Sequence, residues 1–349
     1  MFKNYLKVAF RNIRNKKFYS ILNLLGLSIG ITAGILIMIY IQDELSYDTF
    51  HPDVEQKYVI GLNGKIGNQE VTGIFTPAPM AATMVEEIPG AKSATRTYST
   101  GELVFRYENR AFTEKQVFYA DSNFYQFFGY ELIRGNAETA LEGPNKAVIT
   151  KSIAKKYFGS EDPLGKNLVV GNSKTSYEVT GVNADPPNNS HFHFDILLSF
   201  STTNYSRSDN WLSNNLNTYV ELYPETEPDN FESELDELVH KYVGPRIEQF
   251  MGMTLEELRK QGGKYGYFAI PILDLHLNAP KVQTTFEPPG DITYVYIFSA
   301  IGIFLIVIAC VNFMNLSTAS AAGRAKEVGL RKTLGSDRKT MMVQFLVES

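Results

Sequence analysis

Two long stretches without charge decide what this chain can fold into. Residues 18–42 carry no charged group between Lys17 and Asp43, and residues 292–323 carry none between Asp291 and Arg324. At about 1.5 Å per residue, a helix through either stretch outspans a hydrocarbon core of roughly 30 Å. Lys3, Lys7, Arg11, Arg14, Lys16 and Lys17 precede the first stretch with no acidic residue among them. Six basic and three acidic residues follow the second. Because basic flanks collect on the inner side of a membrane, both ends are expected inside and Asp43–Asp291 across the bilayer. A cleaved leader fits less well. The apolar run is longer than a signal core, and its exit through Tyr40-Ile41-Gln42-Asp43 offers no small-x-small cleavage site.

The net charge of −5 hides an uneven distribution. With twelve basic and three acidic residues in the flanks, Asp43–Asp291 keeps 21 basic against 35 acidic residues, a net of −14. Such a domain is a poor partner for nucleic acid or anionic lipid heads. The single cysteine, Cys310, lies in the second apolar stretch, so the domain between the stretches must hold itself by packing without a disulfide.

The two stretches differ in kind. Ahead of the first, residues 1–17 read as a cytoplasmic amphipathic helix. Phe2, Leu6, Ala9, Phe10 and Ile13 fall on one stripe and Lys3, Lys7, Arg11 and Arg14 on the next, which suits a helix lying along membrane lipid. The first span, 18–42, places Gly26, Gly30 and Gly34 on one face, where missing side chains let a second helix approach closely in lipid. The second, 292–320, is apolar at first and then turns small and polar through Asn312, Asn315, Ser317, Thr318 and Ser320. One long helix is expected there, running past the inner face of the membrane.

Between the spans, 43–291 reads as an α+β domain. Strands are expected at 57–62 and 70–75, then a helix capped by Thr76 and opened by Pro77, with Met80, Met84 and Val85 on its buried side. A strand near 94–99 follows. The same order recurs before the second span: a strand at 218–223, a helix over 228–242 and a strand at 266–275. Two β-α-β units at the ends of one domain suggest a split ferredoxin-like subdomain, 43–100 with 217–291. The insertion between them, 101–216, reads as a β-rich lobe with one clear helix at 151–158.

No chemistry-bearing motif emerges. The chain has no G-x-x-x-x-G-K-[ST] loop, G-x-S-x-G elbow, C-x-x-C or H-E-x-x-H. His191, His193 and Asp195 would share one face of an extended strand and could hold a divalent metal. Without a further ligand at recognisable spacing, the polar outer face of an amphipathic strand explains them better. The aromatic run from Phe118 to Phe128 reads as core at a strand–helix junction. The expectation is no catalytic residue, no cofactor and no metal.

The most specific segments lie elsewhere. Arg324-Ala-Lys-Glu-Val-Gly-Leu-Arg-Lys-Thr-Leu-Gly-Ser336, followed by Gln344-Phe-Leu-Val-Glu-Ser349, closely resembles the stretch after the second span in permeases of the MacB/FtsX family of ABC transporters. Ala120-Asp-Ser-Asn-Phe-Tyr-Gln-Phe-Phe-Gly129, Leu132-Ile-Arg-Gly135, Ala147-Val-Ile-Thr-Lys-Ser-Ile-Ala-Lys-Lys-Tyr-Phe-Gly159 and Asp162-Pro-Leu-Gly-Lys166 resemble the family's MacB-type periplasmic core. So do Val179-Thr-Gly-Val182 and Asn189-Ser-His-Phe-His-Phe-Asp195, and Ala9-Phe-Arg-Asn-Ile-Arg-Asn-Lys-Lys-Phe18 matches the amino-terminal flank.

The resemblance implies a bacterial inner-membrane, multi-pass permease with a cytoplasmic amino terminus, driven by a separate cytoplasmic ABC ATPase and working as a homodimer or pseudo-dimer. Residues 321–349 would hold a coupling helix against that ATPase, through Arg324, Lys326, Glu327, Val328, Gly329, Leu330, Arg331, Lys332, Leu334 and Gly335, and then begin a further membrane segment that the sequence cuts short. ATP hydrolysis would move the periplasmic domain by mechanotransmission, for export of drugs, peptides or lipoproteins or to activate a periplasmic partner protein. The alternative is a two-span receptor with an extracytoplasmic sensor domain, which would want sustained heptads after Arg324.

Overall fold

A computed structural model describes residues 17–322 except 68, 172–173, 280, 285 and 287, and beyond them residues 329–330 and 333–335. The amphipathic helix expected at the amino terminus falls outside these residues. The described chain forms a pair of long helices and a mixed α/β domain over Ser46–Asp291.

The helices are Lys17–Leu45 and Ile292–Ala322. Within them Leu24–Leu45 and Ile292–Asn315 are long and apolar enough to cross a membrane. Both expose large apolar side chains around their circumference, among them Leu25, Ile29, Leu36 and Met38 on the first and Ile303, Phe304, Val307 and Ile308 on the second. A helix that is apolar all round suits lipid rather than water. The two pack on one another, with Tyr40 edge-on to Phe298 at 5.3 Å between ring centroids.

The domain is built on one mixed sheet. Its strands are β1 (Lys57–Ile66), β2 (Gln69–Gly73), β3 (Ala91–Ser99), β4 (Leu103–Tyr107), β5 (Arg110–Glu114), β6 (Val117–Ala120) and β7 (Leu132–Gly135). They continue with β8 (Lys146–Thr150), β9 (Asn167–Val170), β10 (Thr175–Asn183), β11 (Ile196–Ser199), β12 (Asn217–Leu222) and β13 (Lys264–Pro271). The order along the sheet is β13-β1-β12-β3-β6-β11-β8-β10-β9-β4-β5, with β2 beside β1 and β7 beside β10. At one end β1, β3, β12 and β13 pair antiparallel in the order fourth, first, third, second. With the helices Met80–Glu87 and Pro228–Leu238 this is the β-α-β-β-α-β ferredoxin-like arrangement. The sheet does not stop there: β3 also pairs with β6, and parallel pairs join β6 to β11 and β8 to β10.

Strand alternation divides the core. Val59 and Tyr219 feed an aromatic-rich core with Phe124, Phe128, Phe192 and Phe194, whereas their neighbours Ile60 and Val220 pack with Met80, Met84, Phe231 and Leu235. Farther along, Val148 and Leu197 join the aromatic core, while Ile149 and Leu198 pack under the helix Lys151–Phe158. Arg96 of β3 ties the two strand groups. Its guanidinium meets both Asp121 oxygens, at 2.8 and 2.9 Å, and donates to the carbonyls of Ala78 and Ser206.

Several local expectations change. Thr76 caps no helix; its backbone and hydroxyl bond to Leu216 and Thr218, and the helix opens later, after Pro79. Val85 is exposed, because the shorter helix turns Met80, Ala81 and Met84 inward instead. The helix expected over 228–242 passes into a π-turn at Val239–Val243, closed by a Gly244 N–H to Val239 C=O bond. Pro245 follows, and its missing N–H cannot continue the α-helical ladder. The last strand ends at Pro271, and Ile272–Leu275 is a helical turn rather than more strand.

Candidate functional site

The glycines of the first helix face the second. A Cβ on Gly26 would stand 2.6 Å from Asn312 Nδ2, on Gly30 2.5 Å from the Ala309 Cβ, and on Gly34 3.0 Å from Ile306 Cγ1. Gly302 of the second helix lies in turn against Ile37. Of the residues expected to meet an ATPase, Arg324, Lys326, Glu327, Val328, Arg331 and Lys332 lie outside the described residues. Gly329, Leu330, Leu334 and Gly335 lie within them. Leu334 N–H bonds to Leu330 C=O in a helical turn, both leucines are exposed, and Gly335 has a φ of 89°.

Among the described residues, a cluster of buried polar groups gathers around Asp48, three residues after the first helix ends. Asp48 takes a φ of 59° and donates its N–H to Asn189 C=O at 2.9 Å, while Asn189 Nδ2 donates back to Ser46 Oγ at 2.9 Å. This pairing lays residues 46–51 against 189–192. The Asp48 carboxylate accepts the His191 N–H at 3.1 Å and the Ser190 hydroxyl at 3.3 Å. Its Oδ1 stands 2.9 Å from His191 Nδ1 and 3.4 Å from His51 Nε2.

Each imidazole is held from its far side. His51 Nδ1 donates to Phe128 C=O at 2.7 Å, and His191 Nε2 meets the Tyr219 hydroxyl at 3.0 Å. Tyr130 donates to Phe192 C=O and touches Ser190 Oγ, completing a polar pocket inside the aromatic core. Burial pushes the Asp48 carboxyl up, but the imidazoles of His191 and His51 outweigh it and hold the group well below the usual carboxylate range.

His191 is thus the one member of the expected His191, His193 and Asp195 face that enters a cluster, and its partners come from elsewhere. No strand forms over 191–195, since β11 begins at Ile196. Phe192 and Phe194 are buried together with His191, whereas His193 Nε2 turns to Pro187 C=O at 3.0 Å. Sequence reasoning missed Asp48 and His51. Their signal was a carboxylate and an imidazole three apart, directly after a span, where a solvated linker would need neither.

The MacB-like periplasmic core domain matches residues 20–238, and the FtsX-like permease C-terminal region matches residues 299–349. The macrolide export ATP-binding/permease protein MacB of Aggregatibacter actinomycetemcomitans is 23% identical over 363 residues, covering 99% of this chain and 51% of that protein. The uncharacterised ABC transporter permease YvrN of Bacillus subtilis (strain 168) is 21% identical over 377 residues, covering 99% of this chain and 82% of YvrN. The chain therefore spans about half the length of the MacB relatives. Among solved structures, a domain assigned to a permease protein of Porphyromonas gingivalis aligns with a TM-score of 0.55 and 25% identity, covering 71% of this chain and 98% of that one. Since the periplasmic-core match alone takes in most of the chain and the FtsX-like match adds its far end, the chain belongs to the MacB/FtsX family of ABC transporter permeases.

Proposed function

We propose that this chain forms part of a permease in which ATP hydrolysis by a separate cytoplasmic ATPase moves the α/β domain on the far side of the membrane. The observation that carries the reading is the layout of the chain: a folded domain entered from one long apolar helix and left through another of 31 residues. That second helix is about 46 Å long against a hydrocarbon core of roughly 30 Å, so it can pass a push or pull beyond the bilayer. Gly26, Gly30 and Gly34 hold the helix pair together by close backbone approach.

In this reading the amino terminus is cytoplasmic, the domain is periplasmic, and the protein sits in a bacterial inner membrane as a multi-pass homodimer or pseudo-dimer. Residues 43–100 and 217–291 act as the porter-like subdomain and 101–216 as the inserted lobe. The segment from Arg324 to Gly335 meets the ATPase. The MacB relatives are named for macrolide export and the Pseudomonas entomophila relative PvdT for pyoverdine export. Export of a drug, peptide or lipoprotein, or activation of a periplasmic partner, is the corresponding role here. Co-purification tests it: the full-length protein should retain a soluble ABC ATPase from its own cell, and Glu327→Lys or Leu330→Asp should release it. Retention of the ATPase by both variants would refute the assignment of the coupling segment.

A further inference from the structure

We infer that Asp48, His51 and His191 form a binding site for a divalent transition-metal ion of the zinc class. This goes beyond the transport reading and stands whether or not the chain couples to an ATPase.

Among the described residues these three offer ligand atoms that all lie within 4.8 Å of one another. Tetrahedral zinc with nitrogen and oxygen ligands near 2.0–2.2 Å places neighbouring donors roughly 3.3 Å apart. The separations of 2.9 and 3.4 Å from Asp48 Oδ1 bracket that spacing.

Hydrogen bonds on the far sides of the rings orient both imidazoles. Phe128 C=O can only accept, so His51 carries its proton on Nδ1 and a neutral ring turns the Nε2 lone pair toward Asp48. His191 Nε2 meets the Tyr219 hydroxyl, and where it donates to that oxygen Nδ1 presents its lone pair to the cluster. Metal-bound histidines are oriented in this way, the other ring nitrogen bonded to a carbonyl or a polar side chain. His51 Nε2 and His191 Nδ1 are buried, and neither makes an aligned hydrogen bond despite its closeness to the carboxylate. In the tautomers that leave His51 Nε2 and His191 Nδ1 unprotonated, a cation among the three groups would neutralise the buried Asp48 carboxylate. Donors that aim beside the oxygen rather than at it fit an ion shared by all three.

A cavity of about 20 Å³, lined by Tyr47, His191, His276, Val282 and Phe286, reaches His191. Asp48 and His51 do not line it, so it offers room for about one water on the His191 side of the cluster, an approach to the site rather than a ligand position. The residues come from segments 143 positions apart, so the ion would clamp the start of the domain, just after the first helix, to the segment leading into β11.

The test uses full-length protein in detergent, stripped with a chelator, loaded with zinc chloride alone and desalted. Mass spectrometry should find about one zinc per chain, and X-ray absorption should show two imidazole nitrogens on the ion. His51→Asn and His191→Asn should each lower zinc affinity roughly tenfold or more, while His193→Asn leaves it unchanged. Folded wild-type protein that retains no zinc overturns the proposal, as does zinc retained equally by both variants. If those variants do not fold, the wild-type absorption spectrum decides: fewer than two imidazoles on the ion would overturn the site.

Discussion

The helix pair and the α/β domain are stabilised by opposite uses of side-chain size. In the domain, large residues do the work: Phe105, Phe124, Phe128, Phe192, Phe194 and Phe231 are fully buried, and strand alternation sends neighbours to different cores. Removing that apolar area from water is the driving force. In the helix pair many large residues point outward, and the contact runs over Gly26, Gly30, Gly34 and Ala309, with Ile37 and Ile306 packed against glycines. Lipid removes the hydrophobic force between helices, so close backbone approach replaces it. The same chain therefore follows two packing rules, each set by its solvent.

Substitutions can break this contrast. Phe231→Ala empties a fully buried site beneath β1 and β12 and should cost the domain about 3–5 kcal/mol in chemical denaturation. Asp48→Asn should cost a similar amount, about 3–5 kcal/mol, by leaving the two imidazoles without their carboxylate. Its pH dependence has a definite sign. The folded Asp48 carboxyl lies below its unfolded value, so its contribution is complete above the ordinary carboxylate range, near pH 4, and is lost as pH falls further. The variant should therefore flatten the acid limb of the stability profile.

Gly30→Val should weaken helix pairing, because a Cβ there would stand 2.5 Å from the Ala309 Cβ, and cross-linking across the pair should fall. It should leave domain melting where it was; a matching fall in domain stability would show that the two regions do not follow separate rules. The smallest effect belongs to Thr254→Ala, which removes the capping box with Glu257 at the start of Leu255–Lys260 and should cost about 1 kcal/mol.

What could be read in the sequence follows the same division. Span helices show themselves through length without charge, and the glycine spacing marks a face without naming what it meets. The repeated β-α-β order around a long insertion was legible because each unit is local. Where the expectation slipped, a distant partner decided the outcome. Thr76 reads as a cap until Leu216 and Thr218 draw it toward a strand edge. His191 reads as one face of a strand until Asp48, 143 residues earlier, claims it. Periodicity reports which side a residue lies on, and only the fold decides which side chain it finds there.

The threading of the chain is the claim on which the transport reading rests, and thiol labelling tests it most directly. With Cys310 replaced by alanine, Ser160→Cys and Thr333→Cys each carry a single exposed thiol, one in the domain and one beyond the second helix. In wall-stripped intact cells an impermeant maleimide should label Cys at 160 at once and at 333 only after lysis. Labelling at 333 with silence at 160 in intact cells would contradict the account.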